Sequence, residues 1–240
     1  MSVQIERGTI TVVTIDRPGV HNAVDTVTAD ALESAVRDFD QDETARVLVL
    51  TGAGDTAFCS GADLKDPPLR RPAGPMGFSR LEVGKPTIAA VNGYCFGGGL
   101  ELACWCDWRL CDQTATFGVL NRRWGVPLID GGTQRLPRIV GLGNALYLVE
   151  TGSRVDADTA LRMGLVQEIV PAGAALTRAR RLAERIAGYP QASLVADRRS
   201  TLAGDGLDAE ALRGEATLDL PEMAAGLERF RTGERPAPPT

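Results

Sequence analysis

The chain has 240 residues, of which 44% are hydrophobic and 24% are charged, and its formal net charge is −5. This composition is typical of a globular protein with one large domain or two small ones and a substantial core. The acidic balance, without a basic cluster, argues against a nucleic-acid or anionic-membrane partner, and no segment is apolar and long enough to span a bilayer. Because the first residues lack the apolar region of a signal peptide, we expect a cytoplasmic protein.

The first two thirds of the chain alternate predicted strands with predicted helices. Residues 9–16 are β-branched and alternating, which predicts a strand, and residues 28–39 have apolar side chains at helical spacing. Residues 46–52 form a nearly continuous apolar run, typical of a strand buried on both faces of a sheet. The pattern returns with a strand at 87–91, a glycine run and a helix at about 100–106. This repetition predicts stacked α/β units.

The segments that follow differ in regularity. A strand is predicted at 108–111, whereas 116–133 is rich in glycine and lacks a clear period, which more often marks a functional segment than an accidental one. The proline-rich residues 66–75 predict a mobile surface loop. A helix and a strand are then expected at 158–163 and 165–170.

The end of the chain reads as helical throughout. Helices are predicted at 174–186, 192–202 and 208–230, with Pro190 and Pro221 as breaks. We therefore divide the chain into a core, residues 1–185, and a C-terminal helical region, residues 186–240. The apolar faces of that region need a cover, either its own core or another subunit.

The five cysteines form no C-x-x-C pair, and most of them lie in predicted core segments. The sequence therefore predicts buried free thiols in a reducing compartment and no metal site.

A glycine run at 97–99 separates the strand at 87–91 from the helix that follows it. The N–H groups in the first turn of a helix have no intrahelical partner and carry partial positive charge, so this turn favours an anion or a group that becomes anionic. Glu101 lies two residues beyond the last glycine. The alternative is structural, because glycines also permit close packing of a helix on a sheet.

Five motifs occur in order along the chain. They are Arg17-Pro18 with Asn22-Ala23, residues 58–64, residues 85–107, residues 131–137, and Ala160 with residues 164–166. Together they resemble the enoyl-CoA hydratase/isomerase family, also called the crotonase family, over about residues 10 to 170. Phe230 and Arg235-Pro236 are similar to the closing helix of that family.

The resemblance implies an α/β fold that is a spiral of ββα units, with a C-terminal helical region that builds homotrimers or hexamers. It implies an acyl-CoA thioester as substrate, with coenzyme A as part of the substrate and no other cofactor. It also implies that the N–H groups of Ala62 and Gly98 form an oxyanion hole for the thioester oxygen. Two such donors in a dry site can contribute about 3–4 kcal/mol each. The expected substrate-binding residues are Ser60, Gly61, Asp63, Leu64, Gly97, Asn121 and Trp124.

A hydratase of this family uses two glutamates, one that activates water and one that passes a proton to the α-carbon. Glu101 matches the first, but ungapped counting places Asn121 where the second stands, and an amide cannot accept a proton at neutral pH. Asp130 lies one residue from the position of a catalytic aspartate in some relatives. We therefore take Glu101 and Asp130 as catalytic candidates. A turn aspartate that bonds its own backbone is the alternative for Asp130, and Asp63 is expected to brace the loop after Ala62.

The leading hypothesis is an enoyl-CoA hydratase or isomerase that stabilises a thioester enolate. Because Asn121 replaces the second glutamate, simple hydration is in doubt. Isomerisation, decarboxylation, dehalogenation or thioester hydrolysis with Asp130 are open alternatives, since one oxyanion hole can serve them all. A non-catalytic acyl-CoA binding protein is the hypothesis from a different class.

Overall fold

The structure is a computed structural model that describes residues 2–234. The predicted closing-helix residues Arg235 and Pro236 lie outside this range. The chain divides into two compact units, the first ending at Glu184 and the second beginning at Arg185.

The strands of the first unit build two sheets. One sheet has six strands in the order β1-β2-β3-β5-β7-β10, and the other has four in the order β4-β6-β8-β9. The pairs β1–β2 and β8–β9 are antiparallel and the other pairs are parallel. The strands are β1 Val3–Glu6, β2 Ile10–Ile15, β3 Val47–Gly52, β4 Ala57–Cys59, β5 Thr87–Val91, β6 Tyr94–Phe96, β7 Trp108–Asp112, β8 Thr116–Gly118, β9 Arg154–Asp156 and β10 Glu168–Val170.

From β3 to β8, successive strands alternate between the two sheets. The helices of the first unit are α1 Thr26–Gln41, α2 Gly98–Trp105, α3 Gly132–Val140, α4 Leu142–Thr151 and α5 Ala157–Arg162, with 3-10 helices at Pro18–Val20 and Leu120–Trp124. Helix α6, Ala175–Ala187, then leads into the second unit. The order β5-β6-α2 and β7-β8-α3 is the repeated ββα unit that the resemblance implies.

The core of the first unit is one cluster of buried side chains that comes from both sheets and from helices α1 to α5. Every residue of β3 and β5 is buried, as their continuous apolar runs predict. Asp25 caps the N-terminus of helix α1, since its side chain accepts a hydrogen bond from Thr28 N at 2.8 Å, and the helix buries Leu32, Val36 and Phe39. The predicted strand and helix in the first forty residues are therefore confirmed.

Several elements were not predicted from the sequence. Strands β4, β6 and β8 have three residues each, which is too short for a period to be recognised. Helix α3 contains Pro137, and helix α4 starts between Gly141 and Gly143, so both lack the usual pattern of a helix. The segment 116–133 is accordingly less irregular than predicted, because it contains β8 and a 3-10 helix.

The second unit is helical, as predicted, with α7 Gln191–Ala203, α8 Leu207–Glu215 and α9 Pro221–Arg231. The segment predicted as one helix broken at Pro221 is two helices, and Pro221 begins the second. The Glu222 carboxylate accepts hydrogen bonds from Gln191 N at 3.3 Å and Ala192 N at 2.9 Å, which joins the start of α9 to the start of α7.

All five cysteines are free and buried. Burial raises the pKa of the Cys104 thiol to about 11 and that of Cys59 to about 12, so both are protonated and unreactive at neutral pH. Among residues 2–234 no cluster of three or more His, Cys, Asp or Glu side chains could hold a metal ion. The helices of this part of the chain are all too short or too polar to cross a bilayer.

Gly99 in α2 illustrates how closely this helix approaches the sheet. A Cβ at this position would lie 2.1 Å from Cys59 O. We expect Gly99→Ala to lower the free energy of unfolding by about 3 kcal/mol, measured by chemical denaturation. Gly143→Ala is the control, because a Cβ there meets no atom within 4 Å, and it should change stability by at most about 1 kcal/mol. Equal effects of the two substitutions would contradict the close approach.

Candidate active site

A cavity of about 240 Å³ opens where the loop after β4, the start of α2 and the loop before α3 meet. It brings together all the predicted site residues except Asp63. These are Ser60, Gly61, Ala62, Leu64, Gly97, Gly98, Glu101, Asn121, Trp124 and Asp130. They come from three segments of the chain, and the pairing of β4, β6 and β8 in one sheet places those segments side by side.

The turn at Gly61 and the start of α2 are in close contact. A Cβ on Gly61 would lie 3.2 Å from Phe96 O and 3.3 Å from Gly98 N, and Gly61 has φ +109°. A side chain at this position would therefore be strained and would crowd the N–H group of Gly98. Glycine at position 61 keeps that N–H group accessible from the cavity.

The N–H groups of Ala62 and Gly98 both remain without an acceptor in the local backbone hydrogen bonding. Val24 N donates to Gly61 O at 2.9 Å and Asp63 N donates to Val24 O at 2.8 Å, so the bridge to Val24 uses the residues on either side of Ala62. Gly98 is the first residue of α2, where an N–H group has no intrahelical partner. Neither N–H group is a donor in the hydrogen bonds between loops of the described residues.

Glu101 lies in the first turn of α2, and its side chain is held by the turn before α3. Its Oε1 accepts hydrogen bonds from Asp130 N at 2.9 Å and from Gly132 N at 2.8 Å. A Cβ on Gly132 would lie 2.8 Å from Glu101 Cγ, so only glycine permits this approach. Burial, with a contribution from the negative charge of Asp130, raises the pKa of the Glu101 carboxyl to about 7.

Asp130 is the second buried carboxylate of the cavity. Its Oδ1 accepts hydrogen bonds from Met76 N at 2.9 Å and from the hydroxyl of Ser79. Burial raises its pKa, while these two donors and the charges of Arg80 and Arg135 oppose the rise. Asp130 therefore bonds a distant segment and not its own backbone, as the turn interpretation would have required. Each carboxylate of the site is held through one of its two oxygens.

Asn121 lines the cavity, but its amide braces the loop that carries it. Nδ2 donates to Val126 O at 2.7 Å, and Val126 N donates to the backbone oxygen of Asn121 at 3.2 Å. Oδ1 is buried and has no hydrogen-bond partner among the described residues. Trp124, in the same 3-10 helix, is 73% exposed at the rim of the cavity.

Asp63, predicted as a substrate-binding residue, is not among the residues that line the cavity. Its carboxylate pairs with Arg17 at 3.1 Å and accepts a hydrogen bond from Lys65 N at 3.0 Å. Arg17 also pairs with Asp25, the residue that caps α1, at 2.8 Å. Asp63 therefore braces the loop after Ala62 against the start of α1, as the bracing expectation stated.

The proline-rich segment borders the cavity through Pro68, Leu69 and Pro75. Arg71 anchors it to α1 with ion pairs to Asp30 at 2.5 Å and to Glu33 at 3.1 Å. Residues 73–75 are buried, so the prediction of a surface loop is wrong for the end of the segment, and residues 76–79 after it are buried as well.

Sequence reasoning missed Met76 and Ser79, which hold Asp130. A serine and a methionine after a proline-rich segment carry no motif, and their partner lies more than fifty residues away. Only the folded chain identifies them.

Comparison with known proteins identifies relatives that are described as enoyl-CoA hydratases or isomerases, or as hydratases of related thioesters. The sequence model described as enoyl-CoA hydratase/isomerase matches residues 6–204. The short-chain-enoyl-CoA hydratase of Clostridium acetobutylicum is 38% identical over 190 residues, which cover 75% of this chain and 73% of that protein. The (E)-benzylidenesuccinyl-CoA hydratase of Thauera aromatica is 35% identical over 242 residues, which cover 94% of this chain and 93% of that protein.

Solved structures share the fold of this protein over nearly the whole chain. A crystal structure of an enoyl-CoA hydratase from Mycobacterium tuberculosis H37Rv has a TM-score of 0.90 and 31% identity, covering 98% of this chain and 97% of that one. An enoyl-CoA hydratase from Bacillus anthracis has a TM-score of 0.90 and 28% identity, with 98% of both chains covered.

Proposed function

The chain belongs to the enoyl-CoA hydratase/isomerase family, and on this premise we propose that it is an acyl-CoA-processing enzyme of hydratase or isomerase type. One observation carries the proposal: Glu101 and Asp130 line a single cavity together with the accessible N–H groups of Ala62 and Gly98. Proton donors, proton acceptors and oxyanion donors are the groups that enolate chemistry on a thioester requires. Coenzyme A enters as part of the substrate, and the proposal includes no other cofactor.

In this proposal the N–H groups of Ala62 and Gly98 form the oxyanion hole. Proton addition or removal beside a thioester carbonyl places negative charge on its oxygen. The positive end of the α2 dipole and two N–H donors stabilise that charge, which supports binding of the thioester oxygen at this point.

The two carboxylates divide the proton transfers, and Glu101 takes the role opposite to the water-activating one that the resemblance implied for it. Asp130 is the base: burial raises its pKa, but the Met76 N–H, the Ser79 hydroxyl and two arginines oppose that rise and favour the ionised form. Glu101 is the acid, since burial and the nearby charge of Asp130 raise its pKa to about 7, and its proton stays bound below that pH. Two carboxyl groups whose environments separate their proton affinities can act as an acid–base pair at one pH.

Hydration of a trans-2-enoyl thioester then proceeds as follows. Water gives a proton to Asp130 while its oxygen bonds to the β-carbon, and the electrons of the double bond move into the enolate. The thioester oxygen carries the negative charge in the oxyanion hole. The enolate returns these electrons to the α-carbon, which takes the proton of Glu101.

The charge of the cavity favours binding of an uncharged, apolar acyl group. Among the described residues that line it, Glu101 and Asp130 are the only charged ones, and no cation is present. The remaining surface is largely apolar, with Leu69, Trp124 and Ile129 at exposed positions. A carboxylate on the acyl group would lose its water and find no positively charged partner beside the two acidic residues, which is costly.

The proposal is tested by the loss of conjugated thioester absorbance when crotonyl-CoA is added. We expect turnover of crotonyl-CoA and at least about a tenfold lower kcat/KM for glutaconyl-CoA, which carries a terminal carboxylate. Chromatography of the products separates hydration from double-bond migration. A rate at background with crotonyl-CoA would exclude simple hydration, and equal rates with both substrates would contradict the argument from charge.

Two other candidate functions have specific support. Isomerisation, decarboxylation or thioester hydrolysis can use the same oxyanion hole with Asp130 as the second group. A non-catalytic acyl-CoA binding protein is favoured by the amide at Asn121, which cannot transfer a proton. Calorimetry that detects binding of acyl-CoA without any turnover would support the binding protein.

We also propose that the protein is a cytoplasmic homotrimer, or a hexamer made of two trimers. The support is the exposed apolar surface of the second unit, where Leu207 and Phe230 are each 82% exposed. Apolar surface of this kind is commonly covered by another subunit.

A further inference from the structure

Ser79 is a buried hydroxyl that lies behind the cavity and not in it. Its exposed fraction is 0%, and its Oγ donates a hydrogen bond to Asp130 Oδ1. Because Ser79 does not line the cavity, a substrate bound there would contact Asp130 and not Ser79. Any effect of this hydroxyl on the reaction must therefore act through Asp130.

The surroundings of the Ser79–Asp130 pair leave little room for movement. A Cβ on Gly74 would lie 2.0 Å from Ser79 Oγ and 3.0 Å from Asp130 Oδ1, and Gly74 has φ +101°. The backbone approaches this closely only because residue 74 has no side chain. The backbone at Gly74 thus covers both the hydroxyl and Oδ1 from one side.

The backbones of the two residues are also tied together. Arg135 donates from Nη1 to Asp130 O at 2.9 Å and from Nη2 to Ser79 O at 2.7 Å. One planar guanidinium therefore links the chain just after the proline-rich segment to the turn before α3. The hydrogen bond between the two side chains is supported by this second link between the same two residues.

We propose that Ser79 is a positioning residue for proton transfer, which holds Asp130 through Oδ1 and leaves Oδ2 as the oxygen that exchanges a proton with the substrate. This inference rests on the proposed function of Asp130. Met76 N–H binds the same Oδ1, so the two donors fix both the rotation of the carboxylate and the oxygen that is occupied.

Removal of the hydroxyl has two consequences. The carboxylate loses one of the two hydrogen bonds that orient it, so kcat falls while binding of the acyl group is unchanged. The hydrogen bond also favours the ionised form of Asp130, so its loss raises the pKa of that carboxyl. The other charged groups around Asp130 are Glu101, Arg80 and Arg135, and all three are kept in the substitution.

The test compares Ser79→Ala with Ser79→Cys in the full-length protein, using the enoyl-CoA substrate that the wild type turns over best. We expect Ser79→Ala to lower kcat about tenfold, to change KM less than about twofold and to move the acidic limb of the pH profile upward. Ser79→Cys, which retains a weak donor, should recover part of both effects. Ser193→Ala, at an exposed serine of α7, is the control and should match the wild type.

The outcomes separate this inference from the proposed function. An unchanged acidic limb in Ser79→Ala, with kcat within about twofold of the wild type, would overturn the positioning role. If Ser79→Ala does not fold, the pH profile of Ser79→Cys is used in its place. An acidic limb that is unchanged in Ser79→Cys would then overturn the positioning role. Full activity of Asp130→Asn would instead refute the role of Asp130 itself.

Discussion

Glutamine in place of Glu101 is expected to abolish turnover and to stabilise the protein at alkaline pH. The amide oxygen of glutamine can still accept the hydrogen bonds from Asp130 N and Gly132 N, so the geometry of the site is kept. The amide cannot transfer a proton, and kcat should fall about 1,000-fold or more, measured with the best enoyl-CoA substrate. Binding of acyl-CoA, measured by calorimetry, should persist.

The stability effect follows from the raised pKa of Glu101. The pKa is about 7 in the folded protein against 4.5 for the free side chain, so the folded state keeps a proton that the unfolded state has lost between these values. The contribution of Glu101 to the free energy of unfolding is therefore greatest below pH 4.5. It decreases by about 3 kcal/mol in total as the pH rises through 7. Glu101→Gln has no such loss.

Denaturant unfolding at pH 5 and pH 8 measures this difference. We expect the substitution to increase the free energy of unfolding by on the order of 2 kcal/mol more at pH 8 than at pH 5. Glu43→Gln is a suitable control, because Glu43 is exposed. The same change in stability at both pH values would show that Glu101 does not titrate as a buried carboxyl.

Asparagine in place of Asp130 is expected to lower kcat about 100-fold or more, with a smaller change in KM. The Oδ1 of asparagine can still accept hydrogen bonds from Met76 N and Ser79, so the substitution removes the charge and the proton acceptor but keeps the local contacts. The measurement is steady-state kinetics across pH, with Asp55→Asn, an exposed carboxylate, as the control.

The pH profile of Asp130→Asn carries a second expectation. The negative charge of Asp130 raises the pKa of Glu101, so its removal should lower that pKa. The basic limb of the residual activity, which reports protonated Glu101, should move to lower pH. A basic limb that stays in place would show that the two carboxyls do not interact, and an unchanged kcat would assign Asp130 a structural role.

These two substitutions also distinguish the classes of function. An enzyme that uses both carboxylates loses turnover in each variant and still binds acyl-CoA. If Asp130→Asn is inactive for hydration but still moves the double bond, Glu101 alone supports isomerisation. A protein that only binds acyl-CoA shows no turnover to lose, and both variants bind as the wild type does.

Much of the fold followed from local pattern. The apolar runs of β3 and β5 and the helical spacing in α1 are set by neighbouring residues, so periodicity identified them. The strands of three residues and helices α3 and α4 were missed, because pairing and burial by distant segments stabilise them despite weak local signals.

The features of the candidate site also divide into those that local sequence determines and those that depend on distant segments. The sequence by itself determined the glycine run, Glu101 and the Gly61-Ala62 turn, because backbone approach and a helix start depend on residues close together in the chain. Only the tertiary structure decided that Asp130 lies beside Glu101, that Ser79 holds it and that Asp63 faces away. The pKa of Glu101 belongs to this second group, because burial and neighbouring charge arise only when distant segments pack together.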